Sequence, residues 1–147
     1  ELIPKNEIQV DFDREFVERY EYSLVGEAVV NGHSCWIIYL VPRDGDLSAS
    51  RNIDNALNNS TGHLSISKED FGLVRVEFQM ARSVRFWWGL LGTLRDTRGQ
   101  LEFTRVADGV WLPSLVDIQS DLRILFRSIR RRIVRQWNDY APIGASD

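Results

Sequence analysis

The dipeptide Asn31-Gly32 lies between two segments rich in β-branched and aromatic residues, 16–30 and 33–41. A two-residue hairpin turn of type I′ needs positive φ at both positions, and Asn-Gly accepts this conformation readily. The sequence therefore predicts two antiparallel strands joined at Asn31-Gly32. Pro42 should end the second strand, because proline cannot donate a hydrogen bond to a β ladder.

The second of these strands is apolar on both of its faces. Strand alternation places one set of side chains on one side and a second set on the other: Cys35, Ile37, Tyr39 and Val41, and then Trp36, Ile38 and Leu40. A strand that is apolar on both faces is typical of a sheet covered on both sides. We therefore expect a second layer, or a ligand, against each face.

Two further hairpins are predicted downstream. Segments 64–67 and 73–78 alternate apolar and polar residues around the KEDFG turn, and segments 101–106 and 110–118 flank Asp108-Gly109. The DTRG motif at 96–99 is interpreted as another turn.

Segment 43–62 is rich in Ser, Asn, Asp and Gly, and is interpreted as a long loop with one helical turn through Ile53 and Leu57.

Segment 122–137 is open to two interpretations. Leu122, Leu125, Phe126, Ile129, Ile133 and Trp137 follow helical spacing, which favours an amphipathic helix. The β-branched residues in the same segment also permit a pair of strands broken near Ser128.

The motif RFWWGLLG at 85–92 concentrates apolar surface. Burying one large apolar side chain is worth about 1.5–3 kcal/mol, so leaving five of them in water forgoes about 10 kcal/mol, comparable with the stability of a whole domain. These side chains must face the core, a partner, a membrane surface or an apolar ligand. A short helix packed into the core is the simplest interpretation, but so short a helix turns only some of them inward. The remainder suit the rim of a hydrophobic cleft.

Composition limits the class of protein. The 147 residues suit a single domain spanning 1–147, and no apolar run approaches the roughly eighteen residues of a membrane-spanning helix. The segment that begins at Glu1 has no signal-peptide pattern. The single Cys35 excludes an intrachain disulfide.

Charge is unevenly distributed along the chain. The first 27 residues hold eight acidic side chains, whereas 122–137 holds six arginines and no acid. The arginines are interpreted as a solvated strand face balanced by the acidic N-terminal segment, or as a contact for anionic lipid headgroups or an acidic partner. Nucleic-acid binding is disfavoured by a sequence pI of about 5.4.

The sequence gives little support for a catalytic site or a metal site. His33 and Cys35 share a strand face, which would suit a Cys-His nucleophile, but we expect a solvated histidine and an inert, buried thiol. His63 is the second of two histidines, so no metal-ligand cluster is predicted, and no cofactor is expected. The pairs Glu69-Asp70 and Asp11/Asp13 are interpreted as turn and edge residues rather than catalytic carboxylates.

The chain resembles outer-membrane lipoprotein-sorting-like proteins of the LolA-like superfamily. The resemblance runs from about Phe16 to Tyr140 and is carried by VNGHSCW with the following proline, by LVRVEF and by DGVWLP. It implies a mainly β (α+β) fold: a curved antiparallel sheet forming an unclosed β-barrel, with one or two short helices on its concave side. It also implies that 122–137 forms strands, and that N-terminal elements of the family are shortened or absent here.

The resemblance implies a non-enzymatic protein, periplasmic or envelope-associated, that carries or senses a lipid or lipoprotein acyl chain. The expected cleft is lined by ten side chains: Trp36, Ile38, Leu40, Val76, Phe78, Phe86, Trp87, Leu91, Phe103 and Trp111. Arg127, Arg130 and Arg132 are the expected contacts for a headgroup or partner, with peripheral membrane contact allowed. The alternative is a protein–protein interaction or regulatory module that docks an envelope partner through the same surface.

Overall fold

The computed structural model describes residues 14–45, 52–80, 84–86, 92–124 and 127–141. Eight strands form one antiparallel sheet, which does not close into a barrel. The prediction of a mainly β fold with an unclosed sheet is confirmed.

The elements follow one another along the chain, with two six-residue helices beside the sheet. They are α1 (Arg14–Arg19), β1 (Tyr20–Val30), β2 (His33–Pro42), α2 (Asn52–Leu57), β3 (Ser60–Ser67), β4 (Leu73–Met80), β5 (Val84–Phe86), β6 (Gly92–Ala107), β7 (Val110–Ile124) and β8 (Arg127–Gln136). The sheet order is β1-β2-β3-β4-β6-β7-β8, and β5 pairs with β6 in line with β4. Strands β1 and β8 are the two edges.

The predicted hairpins are all present. Asn31 and Gly32 have φ values of 49° and 82°, as a type I′ turn requires, and Val30 lies opposite His33. The KEDFG turn joins β3 to β4, and Asp108-Gly109 joins β6 to β7. Pro42 is the last residue of β2, as predicted.

Two local predictions are wrong. Residues 14–19 form a helix rather than the start of the first strand, and an i,i+4 ion pair joins Arg14 to Glu18 on it. The DTRG motif is not a turn between strands, because β6 runs through it without interruption. Asp96 there adopts φ of 44°, and the register to β7 shifts between Arg95 and Arg98, so the motif forms an irregularity within the strand.

Segment 122–137 forms strands, as the resemblance implied and against the helical spacing of its apolar residues. Ile129 and Ile133 lie opposite Leu122 and Ile118, in an unbroken register along β7 and β8. The helical turn predicted in 43–62 corresponds to α2, and β3 begins at Ser60 within the predicted loop.

A buried ion pair joins the two helices, and a hydrogen bond joins α2 to β1. Arg19 Nη2 lies 3.1 Å from Asp54 Oδ1, and both side chains are almost completely buried. The hydroxyl of Tyr20 donates to the Leu57 carbonyl oxygen at 2.7 Å. Together these contacts hold α1, α2 and the first residue of β1 in one arrangement.

A small hydrophobic core lies where the first and second hairpins meet. Val30, Cys35 and Val74 are buried there, with Ile37 and Trp111 packed against them. The indole of Trp111 lies over Gly72, where a Cβ atom would overlap the ring. Glycine at this position therefore allows the β6–β7 hairpin to approach the β3–β4 turn.

Candidate functional site

One face of the sheet carries two largely apolar rows that cross it, and on β8 the first row ends at Arg135 and the second at Ile133. Residues paired across antiparallel strands point to the same side, so the register assigns each row. The first row is Leu24, Ile38, Leu64, Val76, Leu101 and Val116, and the second is Tyr22, Leu40, Gly62, Phe78, Gly99, Ile118 and Ile133. We call these two rows the apolar face.

Exposure along the apolar face changes from the centre to the edges. Leu40 and Val76 are buried at 5% and 9% exposure, whereas Leu24 on β1 is 63% exposed and Ile133 on β8 is 49% exposed. The other large side chains between them are half-buried. The described residues therefore leave a band of apolar surface accessible, and its two ends are the most open.

Five of the ten predicted cleft residues lie together on the apolar face: Trp36, Ile38, Leu40, Val76 and Phe78. Trp36 lies opposite Ile66, in line with the two rows. The ring of Phe78 lies over Gly99, where a Cβ atom would overlap it. Glycine on β6 thus makes room for the phenyl ring against the sheet.

Of the other five predicted residues, the structure describes the side chains of two, Trp111 and Phe103. Trp111 packs on the opposite face with Cys35 and Val74, and its ring meets His33 edge-on with centroids 4.8 Å apart. Half-buried Phe103 lies opposite Pro113 beside a register shift, where strand alternation is interrupted. Trp87, Leu91 and the side chain of Phe86 lie outside the described residues.

Sequence reasoning missed the residues that β3, β6 and β7 contribute to the apolar face. Leu64, Leu101, Val116 and Ile118 continue the rows begun by the predicted residues. Their alternation with polar neighbours was visible in the sequence, but the register that aligns them with Ile38 was not. Only the order of the strands shows that these side chains belong to one surface.

The predicted headgroup arginines divide between the two faces of β8. Arg127 shares the side of Ile129 and Ile133, whereas Arg130 and Arg132 point to the opposite side, by strand alternation. Two arginines absent from the prediction, Arg131 and Arg135, lie on the apolar side. The guanidinium of Arg132 instead forms a bidentate pair with Asp117, at 3.0 and 2.8 Å.

Among the described residues, no ion pair joins these arginines to the acidic side chains of residues 14–27. Those residues lie in α1 and β1, and β1 is the sheet edge opposite β8. In the described part of the chain, Asp117 of the neighbouring strand is the ion-pair partner of Arg132. The pair lowers the pKa of Asp117, chiefly through the hydrogen bond from Arg132.

The face opposite the apolar face holds a polar groove of about 490 Å³. Its lining follows two neighbouring cross-strand rows. One is Tyr39, His63, Glu77, Gln100 and Asp117, and the other is Thr61, Gln79, Arg98 and Gln119. Three residues of the second apolar row, Gly62, Phe78 and Gly99, also border this groove, and Phe78 is one of the predicted cleft residues.

The Cys35 thiol has the environment of a structural group. It is completely buried, and burial raises its pKa above the ordinary value, so the reactive thiolate is disfavoured. His33 is half-buried against Trp111 rather than solvated as predicted. The two residues are linked by a contact from Cys35 Sγ to the His33 carbonyl oxygen at 3.3 Å, not by an imidazole–thiol pair.

The predicted turn role of Asp70 is confirmed. Asp70 accepts hydrogen bonds from the Gly72 amide at 3.1 Å and the Trp111 indole at 3.0 Å. Among the described residues, no three His, Cys, Asp or Glu side chains cluster as metal ligands, and no helix has the length and apolarity to cross a bilayer. Asp11 and Asp13 lie outside the described residues.

Comparison with known proteins adds no relative to these observations. No protein-family model, no curated protein and no solved structure matches the chain.

Proposed function

We propose that this chain is a non-enzymatic binding module that holds an acyl chain, or an apolar segment of similar shape, on its apolar face. The observation that carries the proposal is the pair of apolar rows that cross the sheet and stay partly exposed. Exposed apolar patches of this extent are typical of interaction sites.

The dimensions of the sheet suit an extended chain. Neighbouring strands lie about 4.8 Å apart, so a row that crosses seven strands extends roughly 29 Å. An acyl chain laid along such a row exchanges water for apolar side chains at about 0.8 kcal/mol per buried methylene.

The arginines at one end of the rows supply a contact for a negatively charged headgroup. Arg127, Arg131 and Arg135 share the apolar side of β8 with Ile129 and Ile133. A carboxylate or phosphate at that end would face cations, while its acyl chain extends toward β1. This arrangement favours an amphiphile over a purely apolar ligand.

The proposed function includes a location in the cell envelope. The resemblance to LolA-like proteins suggests an envelope-associated carrier or sensor of lipidated protein, and the unclosed sheet is compatible with that class. Fold likeness is a weak guide to function. The binding proposal therefore depends on the apolar face itself.

Partner docking through the same face is the second candidate. It is favoured by the exposure of large apolar side chains on the edge strand β1, where Val29 is 73% exposed and Leu24 and Val25 are also exposed. An unpaired strand edge with such side chains can accept a strand from another protein.

Native mass spectrometry after detergent-free purification separates the two candidates. Acyl binding predicts adducts with the masses of fatty acids or phospholipids, which organic extraction removes. Docking predicts a stable complex with a second polypeptide. Protein that carries no adduct and takes up no added fatty acid contradicts the acyl proposal.

A further inference from the structure

The polar groove on the reverse of the sheet is lined entirely by residues of β-strands. Every residue that lines it belongs to one of five adjacent strands, β2, β3, β4, β6 and β7. Its volume of about 490 Å³ falls within the range of about 300–1,000 Å³ that is typical of small-ligand sites. Side chains on paired strands are held more precisely than side chains on loops. The polar side chains of the groove thus form a preformed surface that points away from the apolar face, and Gly62, Phe78 and Gly99 border both.

Charges in and beside the groove are largely matched. Asp117 is held by Arg132 through two hydrogen bonds, and Glu77 lies 3.9 Å from Arg75. Arg98 donates to Gln119 Oε1 at 3.3 Å. A site with this balance offers no concentrated field for a phosphate or for a cation. Its ligand should therefore be neutral and polar.

Amide and hydroxyl groups dominate the remaining lining. Gln79, Gln100 and Gln119 each carry an acceptor oxygen and a donor NH₂, and Tyr39 and Thr61 carry hydroxyls that both donate and accept. A sugar hydroxyl also donates and accepts. Several such groups in two adjacent rows can engage neighbouring hydroxyls of one ligand.

An aromatic surface lies at the β2–β3 side of the groove. The rings of Tyr39 and His63 are 4.9 Å apart at a tilt of 40°. Aromatic faces pack against the C–H surface of a sugar ring as well as they pack against other apolar groups. The groove therefore combines the two types of contact that a pyranose offers, C–H surface and hydroxyl edge.

We propose that this groove is a binding site for a short neutral saccharide. The amides and hydroxyls bond to sugar hydroxyls, and Tyr39 with His63 packs against a ring face. The site lies on the opposite side of the sheet from the apolar face, so it stands or fails independently of acyl binding.

Nuclear magnetic resonance of the ¹⁵N-labelled chain tests the site. The probes are maltose, cellobiose and N,N′-diacetylchitobiose, with inorganic phosphate as an anion control. The expected result is that at least one disaccharide shifts the side-chain NH₂ signals of Gln79, Gln100 and Gln119, whereas phosphate does not. Absence of a shift with every disaccharide, or a shift with phosphate alone, overturns the proposal.

Two substitutions define the contacts. Gln79→Leu should weaken the binding of that disaccharide about fivefold, the effect of one lost hydrogen bond, and Tyr39→Phe should weaken it similarly while keeping the ring. Gln136→Leu, on β8 and outside the groove lining, is the matched control and should leave affinity unchanged. Equal affinity in Gln79→Leu, Tyr39→Phe and the unsubstituted chain overturns the assignment.

Discussion

Trp111 and Asp70 join two hairpins that are distant in sequence: the indole Nε1–H donates to Asp70 Oδ2 at 3.0 Å. Arg105 Nε lies 3.4 Å from the same oxygen. Desolvation acts to raise the pKa of Asp70, but the hydrogen bonds from Trp111 and Gly72, with the charge of Arg105, bring it below its ordinary value. The ionised carboxylate therefore stabilises the contact between the hairpins.

The Asp70 carboxylate should make the free energy of unfolding depend on pH. A lowered pKa in the folded state contributes stability that is present above the ordinary aspartate pKa of about 3.9 and is lost as pH falls through the folded-state value. Asp70→Asn should destabilise the protein at about pH 7 and have a smaller effect at about pH 3. Urea unfolding at both pH values measures the difference, with exposed Asp44→Asn as the control. An Asp70→Asn effect that is equal at both pH values contradicts this role.

The buried Arg19–Asp54 pair predicts a large cost for removing one partner. Asp54→Ala removes one carboxylate from beside the buried Arg19 guanidinium, and breaking a buried ion pair costs about 3–5 kcal/mol. Glu18→Ala removes the partner of the exposed Arg14, and should cost at most about 1 kcal/mol. Chemical denaturation of both variants gives the comparison. Similar costs for the two would show that the buried pair does not hold α1 against α2.

A side chain at position 62, within the apolar face, should clash with the neighbouring strand. A Cβ atom there would overlap the backbone carbonyl oxygen of Glu77 on the neighbouring strand, so Gly62→Ala should destabilise the sheet by about 1–3 kcal/mol. Gly26 in β1 has open space around its Cβ position, and Gly26→Ala should change stability by no more than about 0.5 kcal/mol. Thermal unfolding of the two alanine variants distinguishes them, and equal midpoints would contradict the predicted overlap.

Local sequence patterns predicted the hairpins because their turns require particular residues. The type I′ turn at Asn31-Gly32 needs positive φ at both positions. These two residues adopt that conformation by themselves, so the turn is predictable without knowledge of distant contacts. The same logic failed at Asp96, where an aspartate with positive φ sits inside a strand rather than between strands. Turn-forming residues indicate either a turn between two strands or a register shift within one strand. The pairing of the strands determines which of the two forms.

Long-range register limited prediction of the candidate surfaces. The side of each β2 residue followed from alternation, so Trp36, Ile38 and Leu40 were correctly placed on one face. The face on which Trp111 lies could not be predicted, because it depends on how the β6–β7 hairpin packs against Gly72. The polar groove was also invisible, since its rows join residues from strands far apart in sequence.

The arginines on the apolar side of β8 predict a salt-dependent contribution to amphiphile binding. Replacing Arg131 and Arg135 together by glutamine should weaken binding of an anionic fatty acid at low ionic strength, by about 1 kcal/mol per arginine. Arg130→Gln, on the opposite side of the strand, is the control and should have little effect. The difference should largely vanish in about 1 M salt, where charges are screened within about 3 Å. Titrations at the two salt concentrations that give the same loss would contradict an electrostatic headgroup contact.

Fatty-acid titration of two neighbouring β8 variants tests the acyl-binding proposal most directly. Ile133 lies on the apolar face and Val134 on the opposite side, with exposures of 49% and 48%, so the two positions are matched in exposure and differ in direction. With the fluorescent fatty acid cis-parinaric acid, Ile133→Asn should weaken binding about tenfold, the loss of one apolar contact, and Val134→Asn should bind like the unsubstituted chain. Equal affinities for the two variants, or no binding by the unsubstituted chain, would contradict the proposal that the apolar face holds an acyl chain.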